Sequence, residues 1–201
     1  MVDYCMTIND AEIERAARNA VRLQRWPVDA TASSSSAATS SSAASSSNDG
    51  DIFSSPTKGT RRKKLPHPPQ SINQTEYGPL SMSPISVSIE TKKNDGFEDM
   101  AKAQLSVWAS AQILRLRQLI GSDEPISITL PLIFVLGPTW QLLFAVERKD
   151  RIELIQSLSF RMDGASNTLL GCYKILAMLR ALRTWSQTVF RNWFLRTLPT
   201  A

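Results

Sequence analysis

The sequence predicts a mixed α/β domain broken by one long disordered insertion. Three observations point that way. Short runs with strand character, such as Ile85–Ile89 and Leu130–Leu136, alternate along the chain with longer stretches whose apolar residues recur at helical spacing. The segment from 28 to 80 has neither pattern. Its core, Thr31 to Ser47, is built of Ser, Ala and Thr alone and cannot bury enough apolar surface to offset its ordering entropy. Lastly, 201 residues, 42% of them hydrophobic, allow one domain of ordinary size with a real core.

Met1 to Ile8 reads as a strand. Asn9 is the expected N-cap of a helix, with Glu12 at the capping-box position. That helix runs to about Gln24 with Ile13, Ala17, Ala20, Val21 and Leu23 as its apolar stripe, and Trp26-Pro27 ends it. Residues 1–27 thus form the first piece of the domain, and 28–80 form the insertion. The insertion carries a basic cluster (Lys58, Arg61, Arg62, Lys63, Lys64) followed by Pro66, Pro68 and Pro69.

The rest of the domain, 81–201, resumes order near Pro84. Ile85, Val87 and Ile89 alternate with Ser86, Ser88 and Glu90, the period of a strand. Asn94-Asp95-Gly96 is a turn, and Phe97–Ile120 has helical spacing. Leu130–Leu136 is a buried strand, Gly137-Pro138-Thr139 a turn, Trp140–Glu147 a second strand and Arg151–Phe160 a third. Asn167–Leu198 reads as one long helix or two. Its expected buried side carries Leu169, Leu170, Tyr173, Leu176, Ala177, Leu179, Leu182, Trp185, Val189 and Trp193. The uncharged stretch Ile126–Val146 is about as long as a bilayer-spanning helix, but Pro131 and Gly137-Pro138 interrupt it; two strands joined by a turn explain it better, and no stable membrane insertion is expected.

Composition excludes several chemistries. The single histidine, His67, sits in a Pro-rich stretch, which leaves no Ser-His-Asp triad, Cys-His pair or His-based zinc site. Cys5 and Cys172 make neither a metal knuckle nor a disulfide framework and suit a reducing, intracellular compartment. Met1-Val2-Asp3-Tyr4-Cys5 has neither the basic region nor the apolar core of a signal peptide. The net charge of +5 leans towards polyanionic partners.

One segment carries a candidate chemistry. On a strand that buries Ile85, Val87 and Ile89, Glu90 and Lys92 share the opposite face. Asp3 lies on the first strand, and if the two strands pair it can approach Glu90. Two carboxylates bind Mg²⁺ or Mn²⁺, hard ions that prefer oxygen ligands. Such an ion polarises a phosphodiester and activates a bound water, while the lysine orients that water and stabilises charge on phosphorus. The plain alternative is a solvated ion pair at a strand end, worth less than ~1 kcal/mol.

The chain resembles the PD-(D/E)XK nuclease-like superfamily, in a version abundant among proteins of filamentous fungi. The residues that carry the resemblance are an ordered set. They are Val2-Asp3-Tyr4-Cys5; Asn73-Gln74-Thr75-Glu76-Tyr77-Gly78-Pro79-Leu80 leading into Pro84 to Lys92; Gln104-Leu105-Ser106-Val107-Trp108; Leu130-Pro131-Leu132-Ile133; Trp140-Gln141-Leu142-Leu143-Phe144; and Gly171-Cys172-Tyr173-Lys174-Ile175-Leu176. The resemblance implies a restriction-endonuclease-like central mixed sheet flanked by helices. It implies Asp3 and Glu90 as metal ligands, Lys92 as the lysine of the E-x-K motif, and Gln104 as a helix glutamine that orients the site. Many members carry one more acidic residue on a helix before the Asp strand. Asp3 stands two residues from the first residue given, so this looks like an N-terminally short member, in which that acid lies upstream or has been lost. Glu12 and Glu14 follow the Asp strand and cannot fill the role.

Two functions from different classes follow as expectations. The first is Mg²⁺-dependent hydrolysis of DNA; the second is a catalytically silent nuclease-fold protein that binds nucleic acid or a protein partner. A third, weaker expectation is membrane association through Ile126–Val146. Arg61-Arg62-Lys63-Lys64 reads equally as a nuclear-import or phosphate-contacting signal and as a solubilising charge run. Arg115, Arg117, Arg180, Arg183, Arg191 and Arg196 fit a solvated helix face better than a nucleic-acid groove. Trp108, Trp140, Trp185 and Trp193 read as core.

Overall fold

A computed structural model describes residues 3–24, 70–93, 98–162 and 165–198, the side chains of 157–161 excepted. Residues 28–69 of the expected insertion, with the whole basic cluster, lie outside the described residues, as does the expected turn at 94–96.

The elements follow the predicted order. They are β1 (Tyr4–Thr7), α1 (Ala11–Leu23), β2 (Ile85–Lys92), α2 (Glu98–Ile120), β3 (Leu130–Leu136), β4 (Thr139–Glu147), β5 (Ile152–Met162), α3 (Leu169–Trp185), a π-helical turn (Ser186–Phe190) and α4 (Arg191–Thr197). The described strands form one mixed sheet in sequence order. β2 and β3 are parallel, joined by the α2 crossover that parallel strands require, and the other neighbours are antiparallel. This is the restriction-endonuclease-like α/β arrangement. The stretch weighed as a membrane span is the β3–β4 hairpin, and among the described residues no helix is long and apolar enough to cross a membrane.

Helices cover both faces of the sheet. Leu130, Leu132 and Phe134 pack against α1, α2 and the Phe190–Leu198 region, while Val87, Ile133, Val135 and Leu142 pack against Met178 and Leu182 of α3. Two-sided cover corrects the picture of β2 as a strand with one wet face. Ser86, Ser88 and Glu90 are as buried as the aliphatic residues between them.

Three further expectations are corrected. The N-cap of α1 is Asp10, not Asn9: its carboxylate accepts from the amides of Glu12 (3.0 Å) and Ile13 (2.9 Å). Order resumes well before Pro84, since Ser71, Ile72 and Asn73 are buried. Asn73 organises that loop: its amide donates to the carbonyls of Leu80 (2.6 Å) and Ser83 (2.9 Å) and accepts from the Ile85 amide (3.0 Å). The buried line of α3 runs Gly171, Ile175, Met178, Leu182, whereas Leu169, Leu170, Tyr173 and Leu176 are exposed. Val189, also expected inside, is exposed as well.

Candidate active site

β1 is an edge strand, and its pairing with β2 (Tyr4 opposite Ile89) brings Asp3 level with the carboxyl end of β2. The Asp3 amide donates to Ile89 O (3.2 Å). Its Oδ2 accepts from the Thr91 amide (2.9 Å) and from Thr91 Oγ1 (2.6 Å). The Thr91 amide, at the rim of the sheet, therefore finds its acceptor in a side chain. The hydrogen bond from the Thr91 hydroxyl, against opposing desolvation and helped by the Thr91 amide and the attraction of Lys92, holds the Asp3 carboxyl below the ordinary carboxylate range.

Glu90 lies one strand in, opposite Phe134 of β3. α2 and the neighbouring strands remove its side chain from solvent, leaving 1% exposed, against 31% for Lys92. Lys92 Nζ lies 2.6 Å from Glu90 Oε1. Oε1 makes that ion pair without a well-directed hydrogen bond, and Oε2 has no partner. Glu90 beside it holds the Lys92 ammonium above the ordinary lysine range, with Asp3 adding a smaller pull. Lys92 is therefore a fixed cation, not a proton acceptor, at neutral pH. Its backbone is held too, because Lys92 O accepts from the amide of Gly137 (2.9 Å), whose φ of 54° forms the β3–β4 turn.

α2 lies along β2 with one contact per helical turn. Gln112 Nε2 donates to Ile85 O (2.7 Å), and Trp108 Nε1 donates to Ser88 Oγ (2.9 Å). The next turn back carries Gln104 towards the Glu90 end of the strand. Gln104 is exposed and makes no hydrogen bond to the described residues.

The fold thus brings Glu90 and Lys92 into contact, sets Asp3 beside them on the next strand, and keeps Gln104 on the helix above with no hydrogen bond to them. Among the described residues, no group of three or more His, Cys, Asp and Glu side chains is placed to hold a metal. Glu12, set aside on sequence order, is also occupied by Arg191 of α4. The donors present nonetheless suit a hard divalent cation: two carboxylates, one of them buried with an unpartnered oxygen. Thr91, which sets the Asp3 carboxylate, was not singled out from sequence, because a threonine at a strand end carries no signal of its own.

A family model described as the PD-(D/E)XK nuclease superfamily matches residues 1–191. The chain belongs to the PD-(D/E)XK nuclease superfamily. The family match runs from β1 through the π-helical turn and stops at Arg191, the first residue of α4. No curated protein and no solved structure matches the chain.

Proposed function

We propose that this chain is a divalent-metal-dependent nuclease acting on DNA, with Asp3 and Glu90 holding Mg²⁺ or Mn²⁺, Lys92 positioning the attacking water, and Gln104 orienting the site. The observation that carries this reading is Glu90 Oε2, a buried carboxylate oxygen with no partner at the end of the E-x-K strand. Burying such a charge is costly unless something pairs with it, and the Lys92 contact covers only the other oxygen. When bound, the metal would supply Lewis acidity towards the phosphodiester oxygen. The chain's own part is to hold two carboxylates and one fixed cation on adjacent strands. Lys92, protonated at working pH, neutralises charge that develops on phosphorus. Gln104 offers an amide from the helix side to the phosphate or the water.

A second reading, a silent nuclease-fold protein that binds nucleic acid or a protein, is favoured by one observation: among the described residues two acidic side chains stand at the site, and one of them is already engaged by Thr91. The two readings separate in one assay. The first expects Mg²⁺-dependent cleavage of plasmid DNA that Lys92→Ala and Asp3→Asn abolish. Salt-sensitive DNA binding with no cleavage in Mg²⁺ or Mn²⁺ supports the second and overturns the first.

A further inference from the structure

From Thr168 onward the chain carries Lys174, Arg180, Arg183, Arg191 and Arg196 and no Asp or Glu. Among the described residues Arg191 alone of these meets carboxylates, those of Asp10 and Glu12. Arg180 and Arg183, one helical turn apart on α3, are exposed and have no counter-charge among the described residues. Like charges at that spacing repel, and the helix runs on through the π-helical turn into α4, so no helix C-terminus offsets them. Both line a recess of about 700 Å³ between α3 and the end of β1, over Met6 and beside the exposed amide side chains of Asn9 and Gln187. Gln187 belongs to the π-helical turn, a rare feature that frequently marks functional sites. That turn is fixed in place: buried Ser186 accepts from the Ser86 hydroxyl of β2 (2.8 Å) and donates to Leu182 O (2.8 Å).

We propose that this recess grips the phosphate backbone of the bound nucleic acid at a point remote from the cut, with the Arg180 and Arg183 guanidiniums on phosphate oxygens and the Asn9 and Gln187 amides as neutral donors. A guanidinium fork matches phosphate oxygens two at a time, and two forks whose Cβ atoms stand about 5–6 Å apart reach one phosphate or two successive ones. A free phosphate compound would use the same contacts, and the place of the recess decides for the polymer. β1 is the edge strand of the described sheet, with Asp3 just before its start and Ile8 just past its end, at the recess. Extended chain of that length spans about 16 Å. Along one strand of a duplex the same distance is about five nucleotides. A strand with its scissile phosphate at Asp3, Glu90 and Lys92 therefore reaches Arg180 and Arg183 along the edge of β1. The inference rests on the nuclease reading for where the strand is cut, and it adds a second, sequence-independent grip that sets the register of the strand on the protein.

The test is binding by the full chain, in EDTA, of a labelled DNA duplex of about two helical turns, followed against salt concentration. Arg180→Gln with Arg183→Gln should lower the slope of log K against log salt by about 2 and weaken binding about tenfold at ~0.1 M salt. Arg22→Gln with Lys149→Gln removes as much charge from exposed positions elsewhere and should leave the slope unchanged. All four positions are exposed, so both double variants should melt close to wild type. Equal slopes for the two double variants overturn the proposal, as does failure of the wild-type chain to bind the duplex. Inorganic pyrophosphate is the second probe. A rise in Tm with it that Arg180→Gln with Arg183→Gln abolishes, while the duplex slope stays unchanged, also overturns the proposal and assigns the recess to a free phosphate compound. Plasmid cleavage in Mg²⁺ is read separately. Cleavage by the wild-type chain with no slope change in the arginine variant removes the grip and leaves the nuclease reading standing, whereas the slope change without cleavage does the reverse.

Discussion

Glu90 is a carboxylate that the fold takes out of water while leaving one oxygen without a partner, and Lys92 is its nearest counter-charge. Removing that counter-charge alone should cost more than removing both groups, because the buried anion is what becomes stranded. Lys92→Met is therefore expected to lower stability by about 1–3 kcal/mol in EDTA, and Lys92→Met with Glu90→Gln to regain most of it, as read by urea unfolding. Millimolar Mg²⁺ should restore stability to Lys92→Met but not to the double variant; equal responses would show that no ion uses Glu90. The pH dependence follows from the directions of the two shifts. Asp3 titrates below its ordinary value of about 3.9, so its contribution is present above that value and lost as pH falls through the lower, folded one. Lys92 titrates above its ordinary value of about 10.4, so its contribution is present below that and lost as pH rises through the higher, folded one. The Mg²⁺-induced rise in Tm should then be flat between about pH 5 and 9. A several-fold change between pH 6 and 8 would show that a group at the ion site titrates there.

At the scale of elements, β2 and α3 show what was legible and what was not. The period-2 pattern of Ile85, Val87 and Ile89 identified the strand and the side of it that bears Glu90 and Lys92. It could not show that the second face is also covered, because Ser86 and Ser88 look like solvent residues until the Ser86 hydroxyl meets Ser186 and the Trp108 indole of α2 donates to the Ser88 hydroxyl. Likewise Asn73 looks like loop polarity, and only its burial gives it a role. α3 was found as a helix, but its first turn, Leu169-Leu170-Gly171-Cys172, has no polar side to set against an apolar one, so spacing could not choose the inner face. The choice falls to Gly171. A Cβ there would lie 2.0 Å from the Ala165 carbonyl oxygen, which is backbone and cannot swing aside. Gly171→Ala is expected to push α3 off the Ala165–Asn167 turn and cost about 1–3 kcal/mol, or about 2–12 °C in Tm. A melting curve matching wild type would show that the close approach is not needed. Cys172, the next residue, is exposed and should remain reactive to a thiol reagent in the wild-type chain.

At the scale of the whole chain, the question is how a domain tolerates a long interruption between its first helix and its second strand. Arg115, buried on α2, supplies the answer. Its guanidinium donates to Gln24 Oε1 (2.7 Å), the last residue described before the interruption, and through Nε to Ser71 O (3.0 Å), just after it. One side chain thus fastens both ends of the interrupted stretch to the same helix, so β1 and α1 need nothing between 25 and 69 to dock. Burial holds the Arg115 pKa below the ordinary arginine range, but a group that starts so high stays charged, so the hydrogen bonds remain charge-assisted. Replacing residues 25–68 by a short Gly-Ser linker should leave the fold intact and raise stability by ~1 kcal/mol through the shorter loop. Arg115→Met should instead cost about 3 kcal/mol, close to 10 °C in Tm, by stranding the Ser71 carbonyl and the Gln24 amide. That loss should persist in the shortened chain, because the two ends still have to be held. If the shortened chain fails to fold while Arg115→Met in the full chain melts normally, the interruption itself supplies docking contacts and the guanidinium is not the fastening.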